Sequence, residues 1–270
     1  MLETITILGV KVSRVNLQRA YDQVAEWVAT KHRTYVCVAP VSTLVDAQRN
    51  QDYARVVNAA GMLTPDGMPV VWLARSKGGA DVERTYGPDL MHQICDAGRE
   101  RGLRHFFYGG TESTLEKLRH RLESLYPGIQ IAGTCAPPFR SKALVEDADT
   151  LRMLNESQAD VLWIGLGSPK QDFWMDLNRP HLHAPVIIGA GAAFDFLAGV
   201  KPQAPIWMRR NGLEWLFRLA SEPRRLWRRY LIGNSLFLSY VLRDFLRPKV
   251  SNPTLERPTT EPTYTANPLT

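Results

Sequence analysis

Asp66 stands where a general base could act. It belongs to the turn-forming string TPDGMP (residues 64–69), directly before the apolar run Val70-Val71-Trp72. An aspartate held in a tight turn beside apolar residues can have a raised proton affinity and serve as a general base. The same string is also typical of an Asx-turn, in which the aspartate only shapes the loop. The sequence leaves both interpretations open.

Arg84 is the second candidate. It follows Glu83 and precedes the string YGPD (residues 86–89), in which Pro88 is the predicted first position of a helix. A helix N-terminus beside a guanidinium group suits a phosphate or a diphosphate. The alternative is an ion pair at the protein surface.

Glycine-containing turns follow three of the predicted strands. They are Gly109-Gly110-Thr111, the loop from Gly165 to Gln171 and the loop from Gly189 to Asp195. The middle loop offers backbone N–H groups, a hydroxyl, the Lys170 cation and an amide, a combination that suits a diphosphate. Ordinary tight turns would have a similar composition, so the glycines alone do not decide between the two.

Neither glycine-rich loop carries a complete nucleotide fingerprint. The P-loop pattern GxxxxGK[ST] is absent, and GAGAAF (residues 189–194) lacks the third glycine of the dinucleotide motif. Asp195 follows that string, and it could accept hydrogen bonds from ribose hydroxyls or interact with a helix dipole.

Possible metal ligands are poorly placed in the sequence. Asp147-Ala148-Asp149 resembles the DxD motif of sugar transferases, but in its helical pattern the two carboxylates point about 200° apart. His181-Leu182-His183 lacks carboxylate support. The widely spaced cysteines form no CxxC pair: Cys37, Cys95 and Cys135. We therefore expect no metal, no cofactor and reduced thiols.

The elements that must position these residues alternate between strands and helices. Apolar runs predict strands at residues 34–38, 105–108, 130–132, 161–166 and 185–188. Apolar residues at helical spacing predict helices at residues 17–30, 41–58, 88–101, 113–125 and 142–157. This alternation predicts an α/β fold with a Rossmann-like, mainly parallel sheet and helices on both faces. Ligands bind beyond the carboxyl ends of the strands in such folds.

Charge divides the chain into unlike parts. The 270 residues carry a net charge of +6, with 44% hydrophobic and 22% charged residues, a globular composition. Residues 209–250 sum to +7, so the remainder sums to −1. We predict a Rossmann-like α/β domain at residues 1–200, a basic amphipathic appendage at 201–250 and a disordered tail at 251–270.

The appendage has the pattern of a helix that lies on a membrane. From Trp227 to Phe245 the apolar residues keep roughly helical spacing, and neighbouring arginines lie off that stripe. Such a helix could rest on an anionic membrane surface, or it could pack its apolar side on the body of the protein. No apolar run reaches the about 20 residues of a transmembrane helix, and no secretory signal pattern is visible. We expect a cytoplasmic protein that is peripheral on the inner face of the membrane.

Seven strings, in this order, resemble the WecG/TagA/CpsF family of bacterial glycosyltransferases, and together they span roughly residues 5–246. They are LTPDGMPVVW (63–72), ERTYGPDLM (83–91), HFFYGGT (105–111), YPGIQIAGTCAPPF (126–139), ADVLWIGLGSPKQDFWM (159–175), APVIIGAGAAFDFLAG (184–199) and APIWMRRNGLEWLFRLASEPRRLWRRY (204–230).

The resemblance implies an activity. Members transfer N-acetylmannosamine, its uronic acid or glucose from a UDP-sugar to a sugar on undecaprenyl diphosphate, with inversion and without a metal. It also implies roles for the residues that match the family's strings. Asp66 corresponds to the proposed base and Arg84 to the arginine of the ER string. The resemblance implies UDP-sugar binding at Gln171 and Asp195, and the glycine-containing loops lead us to expect it also at Gly109, Gly110, Gly167, Lys170 and Gly191. Lipid-diphosphate binding is expected at Arg218, Arg225 and Arg228.

One departure from the family affects the donor. Many members carry Thr and Asn where this chain has Val38 and Pro40, and these two side chains cannot hydrogen-bond to a sugar. The sequence therefore does not fix the donor sugar, and it does not fix the acceptor sugar or the oligomeric state.

Two other classes of function were weighed. GAGAAF suggests an oxidoreductase that uses a nicotinamide cofactor, and the isoelectric point of about 9.3 suggests a basic, non-enzymatic module that binds nucleic acid or a membrane. We predict neither. The expected partners are a UDP-sugar donor, a polyprenyl-diphosphate-linked acceptor and an anionic membrane surface, without nucleic acid.

Overall fold

A parallel sheet forms the centre of the protein. The computed structural model describes residues 2–138 and 146–246. Within them, the sheet order is β4-β3-β8-β7-β5-β6, and β1 and β2 form a separate antiparallel hairpin. The strands are β1 (Thr4–Ile7), β2 (Val10–Ser13), β3 (Thr34–Ala39), β4 (Met62–Pro65), β5 (Arg104–Gly109), β6 (Gln130–Cys135), β7 (Val161–Gly165) and β8 (Val186–Gly189).

Helices cover both faces of this sheet. Strands β3 and β8 are buried along their whole length, as expected for a parallel sheet covered on both sides. The helices are α1 (Leu17–Ala29), α2 (Val41–Arg49), α3 (Gln51–Ala59), α4 (Met68–Ser76), α5 (Gly87–Ala97), α6 (Glu112–Leu125), α7 (Ala148–Glu156), α8 (Lys170–Asn178), α9 (Ala193–Leu197), α10 (Ile206–Arg210), α11 (Glu214–Ser221), α12 (Pro223–Trp227) and α13 (Gly233–Leu246).

Two hydrophobic cores lie on opposite sides of the sheet. One includes Leu44, Trp174 and Phe237 from α2, α8 and α13, and the other includes Leu90 and Phe194 from α5 and α9. The α/β fold with a mainly parallel sheet and helices on both faces, predicted from the sequence, is thereby confirmed.

The structure differs from the predicted elements in three places. The hairpin of β1 and β2 and the four-residue strand β4 were not predicted, because runs this short carry little periodicity. The helix predicted over residues 41–58 is divided at Asn50, whose backbone is extended. The Asn50 side chain accepts a hydrogen bond from the backbone N–H of Tyr53 at 3.1 Å and so begins a new helix.

The C-terminal segment is helical and contacts the body of the protein. A π-helical turn, Arg228–Ile232, joins α12 to α13. Phe237 of α13 is buried in the core, and Asp244 forms an ion pair with Lys77 at 2.8 Å. In residues 2–138 and 146–246, no helix combines the length and hydropathy needed to cross a bilayer. The domain boundary at residue 200 stays a prediction, and the predicted tail at 251–270 lies outside the described residues.

Candidate active site

The carboxyl ends of the strands open into a polar cleft with a volume of about 310 Å³. Loops after β3, β4, β7 and β8 form its walls, and α12 and neighbouring residues of the C-terminal segment contribute cations. The lining residues include Val38, Pro40, Asp66, Gly167, Gln171, Gly191, Asp195, Lys201, Arg218, Arg225 and Arg229. Ligands of parallel α/β sheets bind at this edge, and the ligand site expected from the sequence stays a prediction.

An apolar cavity of about 470 Å³ lies beside the polar cleft, between α4 and the C-terminal helices. Its apolar lining includes Val41, Met68, Trp72, Leu73, Trp215, Tyr230, Phe237, Leu238 and Val241. Four residues line both spaces: Pro40, Asp66, Arg218 and Arg229. The two spaces therefore meet at one carboxylate and two guanidinium groups.

Asp66 is located at this junction because it directly follows β4. Its backbone N–H donates to the carbonyl oxygen of Ala39 at 3.2 Å, which fixes the turn next to β3. Its side chain is 17% exposed, and Nη2 of Arg84 lies 3.5 Å from Oδ1. Burial raises the pKa of Asp66 to about 6; the Arg84 guanidinium opposes the rise, and the Glu214 carboxylate adds to it. A carboxylate with this pKa can take up a proton near neutral pH.

Arg84 is a partly buried ion-pair partner in the structure. Its Nη2 lies 2.5 Å from Oε2 of Glu214, and its Nε donates to the backbone carbonyl of Asp66. The guanidinium also lies 4.1 Å from the ring centroid of Tyr86. It lines the apolar cavity and fixes the turn that carries Asp66. The sequence left two interpretations of Arg84 open, phosphate binding or an ion pair at the surface. The structure shows an ion pair, with Glu214, but it is mostly enclosed within the protein.

Gln171 holds two glycine turns together. Its Oε1 accepts hydrogen bonds from the backbone N–H groups of Gly167 at 3.1 Å and of Gly191 at 3.0 Å. Its Nε2 donates to Oγ of Ser168 at 3.1 Å, and the residue is only 2% exposed. Two of the backbone donors expected to cradle a diphosphate are therefore used by Gln171 itself.

The other predicted glycines and Lys170 occupy different places. Gly109 and Gly110 do not line the polar cleft within the described chain. A Cβ atom at Gly109 would lie 2.6 Å from the carbonyl carbon of Gly165, so this glycine permits close packing of β5 on β7. Lys170 begins α8 and is likewise not part of the cleft lining.

Asp195 faces the polar cleft and already has a cationic partner. Its Oδ2 lies 2.9 Å from Nζ of Lys201, which is also 3.6 Å from Oε1 of Glu222. Arg225 pairs with the same glutamate. This chain of alternating charges links α9 to α12 at the mouth of the cleft.

The appendage arginines divide into two groups. Arg218 lines both spaces and Arg225 lines the polar cleft. Arg228 lines neither space, and its guanidinium lies 5.2 Å from the ring centroid of Trp227. Arg229, which the sequence analysis did not select, lines both and donates to Oγ of Ser42 at 2.7 Å. Arg228 was selected from the family resemblance alone, whereas Arg225 and Arg229 are four residues apart, the spacing that places two side chains on one helix face.

Val38 and Pro40 line the polar cleft at the end of β3. Neither of these two side chains can hydrogen-bond to a ligand. Among residues 2–138 and 146–246, no group of three His, Cys, Asp or Glu side chains could hold a metal. Asp147 caps α7 by accepting from the backbone N–H of Thr150 at 2.8 Å.

The fold and the site define a class of enzyme. A parallel α/β sheet with a cation-rich cleft at its carboxyl edge, and a carboxylate at the border of an apolar cavity, suits transfer of a group from a phosphorylated donor. The chain belongs to the glycosyl transferase WecG/TagA/CpsF family, whose model matches residues 5–251. The resemblance seen in the sequence is confirmed, and the protein is a glycosyltransferase. This assignment replaces the nicotinamide-dependent and nucleic-acid-binding alternatives.

Three relatives carry the same name, N-acetylglucosaminyldiphosphoundecaprenol N-acetyl-beta-D-mannosaminyltransferase. The Bacillus spizizenii protein is 31% identical over 186 residues, which are 69% of this chain and 70% of that protein. The Bacillus subtilis protein is 26% identical over 231 residues, 85% and 88% of the two chains. The Staphylococcus aureus protein of strain MW2 is 23% identical over 226 residues, 83% and 87% of the two chains.

Proposed function

We propose that the enzyme transfers N-acetylmannosamine from its UDP-linked form to N-acetylglucosamine on undecaprenyl diphosphate. The names of the relatives support this donor and acceptor. The observation that carries the proposal is the location of Asp66 where the polar cleft meets the apolar cavity. A nucleotide-sugar suits the cleft and an isoprenoid-linked acceptor suits the cavity, so both substrates can reach one base.

In the proposed reaction, Asp66 removes the proton from the acceptor hydroxyl. The oxygen attacks the anomeric carbon opposite the departing diphosphate, the bond between that carbon and the phosphate oxygen breaks, and UDP leaves. Attack from the opposite face inverts the anomeric configuration. Arg218, Arg225 and Arg229 stabilise the charge that develops on the leaving diphosphate, so the step proceeds without a metal.

The proposal includes peripheral attachment to the cytoplasmic face of the membrane. The acceptor's isoprenoid chain keeps it in the bilayer, so the apolar cavity must reach the membrane surface. Exposed apolar side chains on the C-terminal helices support this orientation, among them Trp207, Leu238, Leu242 and Phe245. Arginines on the same helices would interact favourably with anionic headgroups.

Turnover with defined substrates tests this function. The full chain is mixed with UDP-N-acetylmannosamine and a synthetic short-chain polyprenyl diphosphate bearing N-acetylglucosamine, and both UDP and the disaccharide lipid are quantified. UDP-linked N-acetylglucosamine, glucose and N-acetylmannosaminuronic acid serve as competing donors. We expect a β-linked N-acetylmannosaminyl product whose rate is unchanged by EDTA. Preference for another donor, or hydrolysis without transfer, would refute the assignment.

A further inference from the structure

Glu214 is a partly buried carboxylate of the C-terminal segment that lines the apolar cavity of the candidate active site. It begins α11, and its side chain is 13% exposed. Oε2 lies 2.5 Å from Nη2 of Arg84, and Oε1 accepts a hydrogen bond from the hydroxyl of Tyr86 at 2.9 Å. Both oxygens are therefore bound to groups of the body that lie about 130 residues earlier in the chain.

One guanidinium group is shared between two carboxylates. Nη2 of Arg84 is 2.5 Å from Glu214 but 3.5 Å from Oδ1 of Asp66. The nearer carboxylate takes the stronger ion pair, because the energy falls with distance in a partly buried site. Without the charge of Glu214, Arg84 would lose the partner that draws its Nη2 away from Asp66.

A base that is tightly paired with a guanidinium group is a weaker base. Pairing favours the ionised carboxylate and so lowers its proton affinity. It also restrains the carboxylate oxygens that must reach the acceptor hydroxyl. The separation of Arg84 from Asp66 therefore matters for the proposed proton transfer, and Glu214 is the group that maintains it.

We propose that Glu214 is a positioning residue, which holds Arg84 back from Asp66 and so lets the docked C-terminal segment set the strength of the base. This inference rests on the proposed function of Asp66. It also gives α11 a part in catalysis separate from binding the lipid, since the body alone lacks this carboxylate.

The surroundings of Asp66 support an effect on its titration. The charged and titratable groups that act on Asp66 are Arg84, Glu214, Arg218, Tyr86 and Tyr230. Arg84 and Arg218 lower the pKa of Asp66, and the Glu214 carboxylate raises it. Loss of the Glu214 charge therefore removes the acidic group in this set that favours the protonated form of Asp66.

The variant Glu214→Gln tests the inference, because it keeps the size of the side chain and an acceptor for Tyr86. We expect the acidic limb of the kcat/KM profile to move to lower pH and the plateau to fall roughly tenfold, with little change in donor KM. Glu214→Asp, which restores the charge, should recover part of the loss. In an Arg84→Gln background, Glu214→Gln should lower kcat less than it does alone, since its effect through Arg84 is gone and only its direct repulsion of Asp66 remains.

Asp244→Asn is the matched control. It removes another carboxylate that attaches the C-terminal segment to the body, through Lys77, without contacting the site. It should leave the pH profile unchanged. If Glu214→Gln lowers stability or raises KM while the acidic limb stays in place, its role is structural and the inference is wrong.

A second measurement does not depend on turnover. The 13C signal of the Asp66 carboxyl, identified by its loss in Asp66→Asn, is titrated by NMR in the wild type and in Glu214→Gln. A lower midpoint in the variant supports the inference, and an equal midpoint refutes it. Failure of the wild type to transfer any sugar would refute the proposed function instead, whatever the midpoints show.

Discussion

Arg84 contacts both the backbone and the side chain of Asp66. Its Nε donates to the backbone carbonyl of Asp66, while its Nη2 remains 3.5 Å from the carboxylate oxygen Oδ1. The guanidinium therefore fixes the turn that carries the aspartate without forming a close ion pair with the carboxylate. This arrangement leaves a carboxylate that is oriented by its backbone and still able to accept a proton.

Replacement of Asp66 by asparagine should abolish most turnover. General-base catalysis contributes about 100- to 10,000-fold, so a fall of that size in kcat is expected while the thermal midpoint and donor affinity persist. In the wild type, kcat/KM should rise with pH through about 6, because the base acts only after it loses its proton. UDP release measured from pH 4.5 to 8.5 checks both the loss of turnover and the pH profile.

The control is Asp52→Asn, at an exposed position, which should match the wild type. Near-normal turnover by folded Asp66→Asn would contradict the assignment of Asp66 as the base.

Gln171 should contribute to stability even when no substrate is bound. Replacing it with methionine, which has a similar volume, leaves the backbone N–H groups of Gly167 and Gly191 without their acceptor. An unsatisfied buried donor costs about 1–3 kcal/mol, but these two groups are only partly buried and water in the cleft can reach them, so we expect a loss of about 1–2 kcal/mol in the free energy of unfolding. Urea denaturation of the substrate-free protein measures this loss. Gln51→Met, at an exposed position, is the control and should not change the free energy of unfolding. If Gln171→Met also left the free energy of unfolding unchanged, Gln171 would not stabilise the substrate-free protein and the prediction would be wrong.

The sheet and the setting of Asp66 could be predicted because both depend on local patterns. Buried strands such as Val161–Gly165 are continuous apolar runs, and Asp66 sits in a recognisable turn. Glu214 could not be predicted, because its partners Arg84 and Tyr86 come from a distant part of the chain. Long-range pairing of charges leaves no periodic signal in a single sequence.

The sequence also could not show which of the predicted glycines line the cleft. Gly109 ends β5 and Gly191 lies just beyond β8, and both have positive φ, yet of these two only Gly191 lines the cleft. The difference is decided by packing, since Gly109 lies against Gly165 of the neighbouring strand. The amino-acid composition identifies a tight turn, but the order of strands in the sheet determines whether the glycine of that turn lines the cleft or packs against a neighbouring strand.

The wild-type protein should be less stable at neutral pH than the Asp172→Asn variant, because the buried Asp172 carboxylate is ionised there. The side chain is 1% exposed, and its Oδ2 accepts a hydrogen bond from the hydroxyl of Tyr53 at 2.7 Å. Burial raises the pKa of Asp172 to about 6 from 3.8, against the opposing effect of that hydrogen bond. The folded state therefore binds this proton more tightly than the unfolded state, and ionisation above pH 6 costs up to about 3 kcal/mol.

The difference in stability between Asp172→Asn and the wild type should depend on pH. The advantage of Asp172→Asn should be absent near pH 4, grow as pH rises towards 6 and stay constant above it. Denaturant unfolding of both proteins at several pH values measures the difference, which cancels the contribution of other titrating groups. Asp22→Asn, at an exposed position of α1, should give no such trend. A constant difference across this range would contradict the raised pKa.

Membrane attachment should depend on exposed apolar side chains at the end of α13. Leu242 and Phe245 are 60% and 65% exposed, and their spacing of three residues places them on one helix face. Changing both to serine removes apolar area that would insert between lipids, so we expect about tenfold or greater loss of binding to phosphatidylglycerol-containing vesicles. Turnover with a water-soluble short-chain acceptor should persist, because neither side chain lines the site. Leu125→Ser, at an apolar side chain that is 48% exposed on α6, is the control. Equal sedimentation of the double variant and the wild type would show that another surface meets the membrane.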